Sequence, residues 1–174
     1  MAGSGRGYGQ GSFWGDQIGP NPTDRAKMGV KRSVLVEADG GPLSVVVAGA
    51  NVPDFKLLED TIEAIVVERP DPTEQAPQHL CLDAGYDKEP AREVVDRHGY
   101  TPHIRLIGEE KKDAEGKKRY PARRWVVERT LGWLSKCRAI LVRYDKKAAN
   151  YLGLIKVACI LLWYRRQHRL SLLR

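Results

Sequence analysis

Hydrophobic positions after residue 33 alternate between short runs and helical spacing, which predicts a mixture of strands and helices. Apolar runs near Ser33–Val36 and Leu43–Ala48 flank the turn residues Asp39–Pro42, a pattern typical of two strands joined by a turn. From Asp54 the apolar positions recur at helical spacing, and this predicts a helix that ends at Arg69, before Pro70. The apolar positions of this helix are Phe55, Leu58, Ile62, Ile65 and Val66.

The second half of the chain continues the alternation and predicts five further elements around a charged loop. They are a strand over His79–Asp83, a helix over Glu89–His98 capped by Gly99, a strand over Thr101–Ile107, a loop over Glu109–Arg119, and helices over Ala122–Arg138 and Lys147–Gln167. The last helix is apolar nearly all round from Tyr151 to Tyr164, so we expect it to be buried. The order β-β-α-β-α-β-α-α predicts a mixed α/β fold.

The first residues differ from the rest. Residues 1–19 hold seven glycines and no apolar periodicity, which predicts a flexible leader over 1–18 and one domain over 19–174. No signal peptide is visible, and the longest apolar run, Val157–Tyr164, is too short to span a bilayer. Three scattered cysteines exclude a disulfide scaffold. We therefore expect a cytoplasmic chain.

The charge of the chain is strongly asymmetric. Residues 1–116 hold 13 Lys and Arg against 20 Asp and Glu, whereas residues 117–174 hold 16 against only two, Glu128 and Asp145. A basic segment of this kind attracts a polyanion through counterion release, which favours nucleic acid as the partner. A solvated basic face with no partner is the alternative.

Two carboxylates stand where they could carry chemistry. Asp83 ends a short apolar strand, where α/β sheets place ligands, although it could simply cap its own turn. Glu128 follows Val127 at the rim of a buried helical stripe, so we expect it to point at the sheet; an ion pair with Arg124 is the alternative. Converging on one crevice, Asp83 and Glu128 could bind Mg²⁺ and cleave a phosphodiester, with the neighbouring arginines on the DNA phosphates.

Three strings make the chain resemble the DDE transposases of bacterial insertion sequences, in the IS-four/IS-five group. The strings are Gly-Pro-Asn-Pro-Thr-Asp-Arg from Gly19, Cys-Leu-Asp-Ala-Gly-Tyr-Asp from Cys81, and Arg-Arg-Trp-Val-Val-Glu-Arg-Thr-Leu-Gly-Trp-Leu from Arg123. The resemblance implies an RNase H-like mixed sheet flanked by helices, in which an Asp-Asp-Glu triad binds two Mg²⁺ ions and cuts and rejoins DNA. It also leaves a homo-oligomer open.

The resemblance assigns roles residue by residue. Asp83 matches the second carboxylate of the triad and Glu128 the third, and both become catalytic and metal-binding candidates. Arg124 fits the arginine of the family's Tyr-Arg-Glu-Lys signature, whereas Lys136 is one residue off the commonest spacing and Tyr120 is also displaced. The predicted DNA-binding residues are Arg123, Arg124, Arg129 and Lys136.

The front of the chain departs from the family pattern. The family's first Asp lies on a strand just upstream of the string at Gly19, where this chain shows neither a carboxylate nor strand character, so we expect the first strand to be missing or rewritten. Asp16, Asp24 and Asp39 lie in turns or loops and are poor replacements. We therefore expect a truncated or inactive transposase. The alternatives are a catalytically dead DNA-binding remnant that interferes with a full-length transposase, and a basic RNA-binding protein without transposon ancestry.

Overall fold

A mixed β-sheet organises the part of the chain that the computed structural model describes, residues 2–11, 15–104 and 124–171. The strands are β1 (Ala2–Gly11), β2 (Gly19–Pro20), β3 (Met28–Val36), β4 (Pro42–Gly49), β5 (Gln78–Leu82), β6 (Tyr100–Ile104) and β7 (Val142–Arg143). The helices are α1 (Leu58–Glu63), α2 (Glu89–Arg97), α3 (Arg124–Ser135), α4 (Arg138–Leu141) and α5 (Ala148–Ser171), with 3₁₀ turns over Asp54–Leu57 and Ala84–Tyr86. The mixed α/β class predicted from the sequence is confirmed.

Strands β3 and β4 form the predicted antiparallel hairpin. Val34 pairs with Val45, and the amide of Gly40 donates to the carbonyl of Glu37 across the turn. Gly40 has a φ of +93°, a conformation that glycine adopts without steric cost. Both strands are longer than the apolar runs. The main extension is in β3, which continues back to Met28 through the buried polar residues Lys31 and Arg32.

Strand β1 is the main departure from the sequence prediction. Residues Ala2–Gly11 form a strand where the sequence predicts a flexible leader and a first strand that is missing or rewritten. β1 lies between β3, with which it pairs antiparallel, and β5, with which it pairs parallel. The alternating glycines of β1 give no apolar periodicity, so the sequence does not predict a strand there. In the structure the strands pair through backbone N–H and C=O groups, which glycine carries like any other residue.

The sheet buries a different cluster on each of its two faces. Alternate β3 residues such as Val34 pack with α3 and α5 on one face, whereas Leu35 packs with α1, α2 and β5 on the other. Because side chains of a strand alternate between faces, β3 contributes to both clusters. The buried members of the first cluster are Val30, Val34, Val36, Val45, Val47, Val126, Val127, Leu131, Leu134, Ile140, Tyr151, Ile155 and Ala158.

Two helices predicted from the pattern differ in extent. The predicted helix from Asp54 to Arg69 is a 3₁₀ turn followed by α1, which ends at Glu63, and Val66 is 77% exposed. The predicted helix over Ala122–Arg138 is two helices, α3 and α4, because Cys137 between them has an extended backbone. The predicted loop over Glu109–Arg119 lies outside the described residues.

Helix α5 is only half covered, so the prediction of a wholly buried helix is wrong. Tyr151, Ile155 and Ala158 are buried against the sheet, but Val157 and Ile160 are 55% and 66% exposed. The sheet can cover only one side of the helix, and an apolar sequence does not change that geometry. None of the described helices is both long enough and apolar enough to cross a membrane.

Candidate functional site

Asp83 follows the last residue of β5, and its local conformation explains its position. Its backbone is extended, with φ −81° and ψ 172°, and its carboxylate accepts a hydrogen bond of 2.9 Å from the amide of Gly85. The carboxylate therefore begins the 3₁₀ turn over Ala84–Tyr86, as the capping alternative predicts. Asp83 is half-buried, so the cap leaves part of its surface open to a ligand.

A second carboxylate, Asp54, lies beside Asp83 and was not singled out from the sequence. Asp83 Oδ1 and Asp54 Oδ2 lie 3.0 and 3.7 Å from the point where a Cβ on Gly85 would stand, so a larger side chain there would crowd both. Asp54 is 7% exposed, and Lys31 Nζ lies 2.9 Å from its Oδ1. The ammonium of Lys31 therefore balances the negative charge of Asp54, and this buried ion pair distinguishes Asp54 from Asp83.

The backbone register shows which part of β1 approaches Asp83. Ala2 and Gly3 pair with Leu80 and Cys81 on β5. Because the two strands are parallel, extending this register by two residues on each strand brings Gly5 level with Asp83. The sequence around Gly5 is Ser-Gly-Arg, which contains no carboxylate.

Glu128 lies on α3, which packs on both β1 and β3. Its neighbours Val126, Val127, Thr130 and Leu131 are buried, as the predicted stripe requires. Glu128 itself is exposed, so the expectation that it points at the sheet rather than into solvent is wrong. It lies one helical position beyond the stripe, and that offset is enough to expose a side chain.

The predicted DNA-binding residues fall into two groups. Arg123 lies outside the described residues. Arg124 is the first residue of α3. Arg129 donates to the carbonyl of Asp39 and stacks 4.8 Å from the ring centre of Trp125. Lys136 Nζ stands 5.3 Å from the ring centre of Trp133, so both described cations lie on the tryptophan side of α3.

The three aspartates weighed as replacements for a missing ligand all lie in turns, and the carboxylates of two of them are paired with cations. Asp39 Oδ2 lies 3.1 Å from a guanidinium nitrogen of Arg166, and Asp24 pairs with Lys27 at 3.5 Å. The amide of Asp16 donates to the carbonyl of Lys146. None of the three is on β5 or beside Asp83 in the sheet, in agreement with the sequence argument.

Two buried arginines behind α3 and α4, Arg32 and Arg143, were also not predicted from the sequence. Arg32 is 1% exposed and donates to Ser135 Oγ at 3.3 Å, and burial lowers its pKa. Arg143 is fully buried and donates to the carbonyls of Asp145 and Lys146. The signal in the sequence that could have indicated burial is their position in strands. Because side chains of a strand alternate between faces, Arg32 lies on the same face as Val34. Arg32 therefore contacts the end of α3, and Arg143 holds the segment that joins α4 to α5.

A bound metal ion needs several ligand atoms close together, so groups of three or more such atoms test the metal hypothesis. Across the described ranges, such a group is formed by Glu59, Glu63 and His98, whose ligand atoms lie within 4.8 Å of one another. It includes neither Asp83 nor Glu128. These two carboxylates alone do not make a donor set for two Mg²⁺ ions, which require near-octahedral oxygen coordination.

Comparison with known proteins gives two matches that agree. Residues 4–163 match the family model described as the transposase DDE domain. The chain is 36% identical over 160 residues to a protein of Burkholderia cepacia assigned as the transposase of insertion sequence element IS402. That alignment covers 90% of this chain and 73% of the relative.

Proposed function

Since this chain belongs to the DDE transposases of insertion sequences, we propose that it binds transposon DNA through its basic C-terminal segment without cleaving it. Transposases of this family use divalent metal ions and act on DNA. The membership excludes a basic RNA-binding protein without transposon ancestry. It is also consistent with the expected location in the cytoplasm.

The arrangement of the sheet supports an RNase H-like domain. Strands β4, β3 and β1 form a consecutive antiparallel set, and β5 and β6 continue from β1 in parallel. Helix α3 packs across β1 and β3. In this proposal β1 is the first strand of the catalytic sheet, so the domain extends over the residues that the sequence assigns to a leader.

Asp83 and Glu128 are the two triad carboxylates that this chain retains. β1 connects them in space, because it pairs with β5, which leads into Asp83, and packs under α3, which carries Glu128. We expect their carboxylates to lie within about 10 Å of each other, the reach of one two-metal site. A crystal structure that places them farther apart would contradict this assignment.

The observation that carries the proposed inactivity is the sequence of β1 beside Asp83. Gly5 is level with Asp83 and bears no side chain, and the nearby carboxylate of Asp54 is already paired with Lys31. The donor set for two ions is therefore incomplete, and no cleavage step is assigned to this chain alone. When bound in a complete site, the ions supply an activated water and stabilise the leaving oxygen.

DNA binding is tested by its dependence on salt. Each phosphate that a cation neutralises adds about −0.9 to the slope of log K against log salt concentration for duplex DNA. Replacing Arg123, Arg124 and Arg129 by alanine should flatten the slope by up to about three such contributions. The control is Arg97→Ala, which removes an exposed arginine of α2 that pairs with Glu59.

The outcome distinguishes the basic segment from other surfaces. Fluorescence anisotropy of a labelled duplex from the element's ends gives the slope for each variant. An unchanged slope in the triple variant, or an equal change in Arg97→Ala, would show that DNA lies elsewhere on the molecule.

A second candidate function follows from the same incomplete site. A chain that binds element ends without cutting them competes with a full-length transposase for those ends. Coexpression should lower the transposition frequency of the full-length enzyme, and the triple arginine variant should restore it. Unchanged frequency with the wild-type chain would exclude interference.

A further inference from the structure

Exposed tryptophans and cations line one side of α3. Trp125, Arg129, Trp133 and Lys136 follow one another at spacings of four, four and three, which places them on one face of a helix. Trp125 is 55% exposed and Trp133 39%. The sequence favours core and interface packing for both indoles, with base stacking as the lesser alternative, and these exposures exclude full burial in the core.

Each indole already lies beside a cation. The guanidinium of Arg129 lies 4.8 Å from the ring centre of Trp125. Lys136 and, from α5, Arg165 lie 5.3 and 5.7 Å from the ring centre of Trp133. We call Trp125, Arg129, Trp133, Lys136 and Arg165 the tryptophan–cation surface.

A cleft of about 170 Å³ opens beside Trp133 between α3, α5 and the β3–β4 turn. Arg129, Arg165 and Arg166 reach it, and Trp163 closes one side, with its indole N–H donating to the carbonyl of Pro42 at 2.9 Å. Arg166 is paired with Glu37 and Asp39. The cleft is smaller than pockets for drug-sized ligands, which begin near 300 Å³, and it suits one planar group with an adjacent anion.

We propose that the tryptophan–cation surface binds unpaired nucleotides, with one base stacked on Trp133 at the cleft and the neighbouring phosphates on Arg129, Lys136 and Arg165. An indole stacks on any base whose face is free, whereas the bases of a duplex cover one another. An exposed cation–π contact is weaker than the stacking of a base on an indole, so an entering base can displace the cation toward its phosphate. The positive charge of the surface matches the phosphate backbone.

This inference rests on the proposed function, because it takes DNA as the substrate, and it adds a preference for unpaired strands. Around α3, Glu128 lies about 60° from Trp125 and about 140° from Trp133, so Trp133 is well separated from the carboxylate. The duplex end would face the carboxylates, and a frayed strand would follow the tryptophan–cation surface.

The test compares binding of a labelled 12-nucleotide oligothymidine with binding of a 12-base-pair duplex by the full chain. We expect Trp133→Leu to weaken oligothymidine binding by about 5- to 150-fold, the effect of losing one stacked base, and to change duplex binding less than about twofold. Trp133→Phe should retain most of the affinity, because it keeps an aromatic face. Tyr144→Leu, at a residue 74% exposed outside this surface, is the matched control.

The two ligands distinguish a failure of this inference from a failure of the proposed function. Failure of the wild-type chain to bind the duplex would overturn the proposed function. Duplex binding together with oligothymidine affinity that neither Trp133→Leu nor Trp125→Leu reduces would overturn this inference alone. Equal losses on both ligands would also overturn it. Trp125 is the more exposed of the two, so its variant keeps the test valid if Trp133→Leu does not fold.

Discussion

Lys31 and Asp54 form an ion pair of 2.9 Å in which both residues are nearly enclosed, at 3% and 7% exposure. Lys31 Nζ also donates to the carbonyl of Val52, so the pair ties β3 to the loop that precedes α1. Because Asp54 neighbours Asp83, this pair fixes the wall of the candidate site beside Asp83.

Lys31→Met should therefore destabilise the protein strongly. The substitution leaves the carboxylate of Asp54 buried without its counterion, which typically lowers the free energy of unfolding by about 3–5 kcal/mol. Urea unfolding followed by circular dichroism measures the change. Lys27→Ala is the control, because its pair with Asp24 is exposed and should contribute less than about 1 kcal/mol. Similar losses in the two variants would contradict the role given to the buried pair.

A carboxylate at Gly5 should complete the ligand set. The Gly5→Asp variant is expected to gain affinity for Mn²⁺, seen as a rise in Tm with added metal, because a ligand that binds only the folded state stabilises it. For a chain of this length each kcal/mol of stabilisation raises Tm by about 2–4 °C. Gly5→Asn, similar in shape and neutral, should show no metal-dependent rise. Equal shifts in both variants, or none in Gly5→Asp, would contradict the register that places residue 5 beside Asp83.

The imidazoles of His79 and His103 touch across β5 and β6, with His79 Nδ1 and His103 Nε2 2.9 Å apart. Burial, and then the neighbouring His79, lowers the pKa of His103 below its usual 6.5. The unfolded chain therefore binds a proton at His103 more readily than the folded chain. The resulting stability is fully present above pH 6.5 and is lost as the pH falls toward the lowered pKa.

Thermal melts between pH 7.5 and 5 check this dependence. His103→Gln should lose less Tm than the wild-type chain over the acidic part of the range, since glutamine does not titrate. His168→Gln, at an exposed histidine of α5, should follow the wild-type curve. If His103→Gln parallels the wild type, the contact between the two histidines has no part in acid sensitivity.

The cysteines should differ in reactivity. Cys137 is exposed, whereas burial, and secondarily Cys137, raises the pKa of Cys159 to about 11. At pH 8 only about one part in a thousand of Cys159 is then thiolate, the reactive form. Iodoacetamide labelling followed by mass spectrometry should modify Cys137 at least about tenfold faster. Comparable rates at the two sites would show that α5 opens on the timescale of labelling.

The sequence predicts the hairpin, β5 and the place of Asp83 at the end of β5, because each depends on local pattern. Apolar runs around Asp39–Pro42 define β3 and β4, and the apolar strand before Asp83 predicts where that residue lies. Strand β1 could not be predicted, because its glycines have no alternation and its place depends on pairing with strands distant in sequence. The ion pair between Lys31 and Asp54 is also nonlocal.

The exposure of α3 and α5 could not be predicted for a different reason. An apolar sequence indicates that a helix face can be buried, but the number of neighbours decides whether it is. Trp125 and Trp133 lie on the side of α3 away from the sheet, and Ile160 lies on the outer side of α5. Glu128 is similarly one position outside the buried stripe, a difference of about 100° around the helix.

The central claim is that this chain retains two carboxylates of a three-carboxylate site and therefore does not cleave DNA alone. Incubation of the purified chain with supercoiled plasmid carrying the element's ends, in Mg²⁺ and in Mn²⁺, tests it most directly. We predict bound but intact plasmid in both metals. Metal-dependent nicking by the wild-type chain that disappears in Asp83→Ala would contradict the claim and would point to Asp16, Asp24, Asp39 or Asp54 as the third ligand.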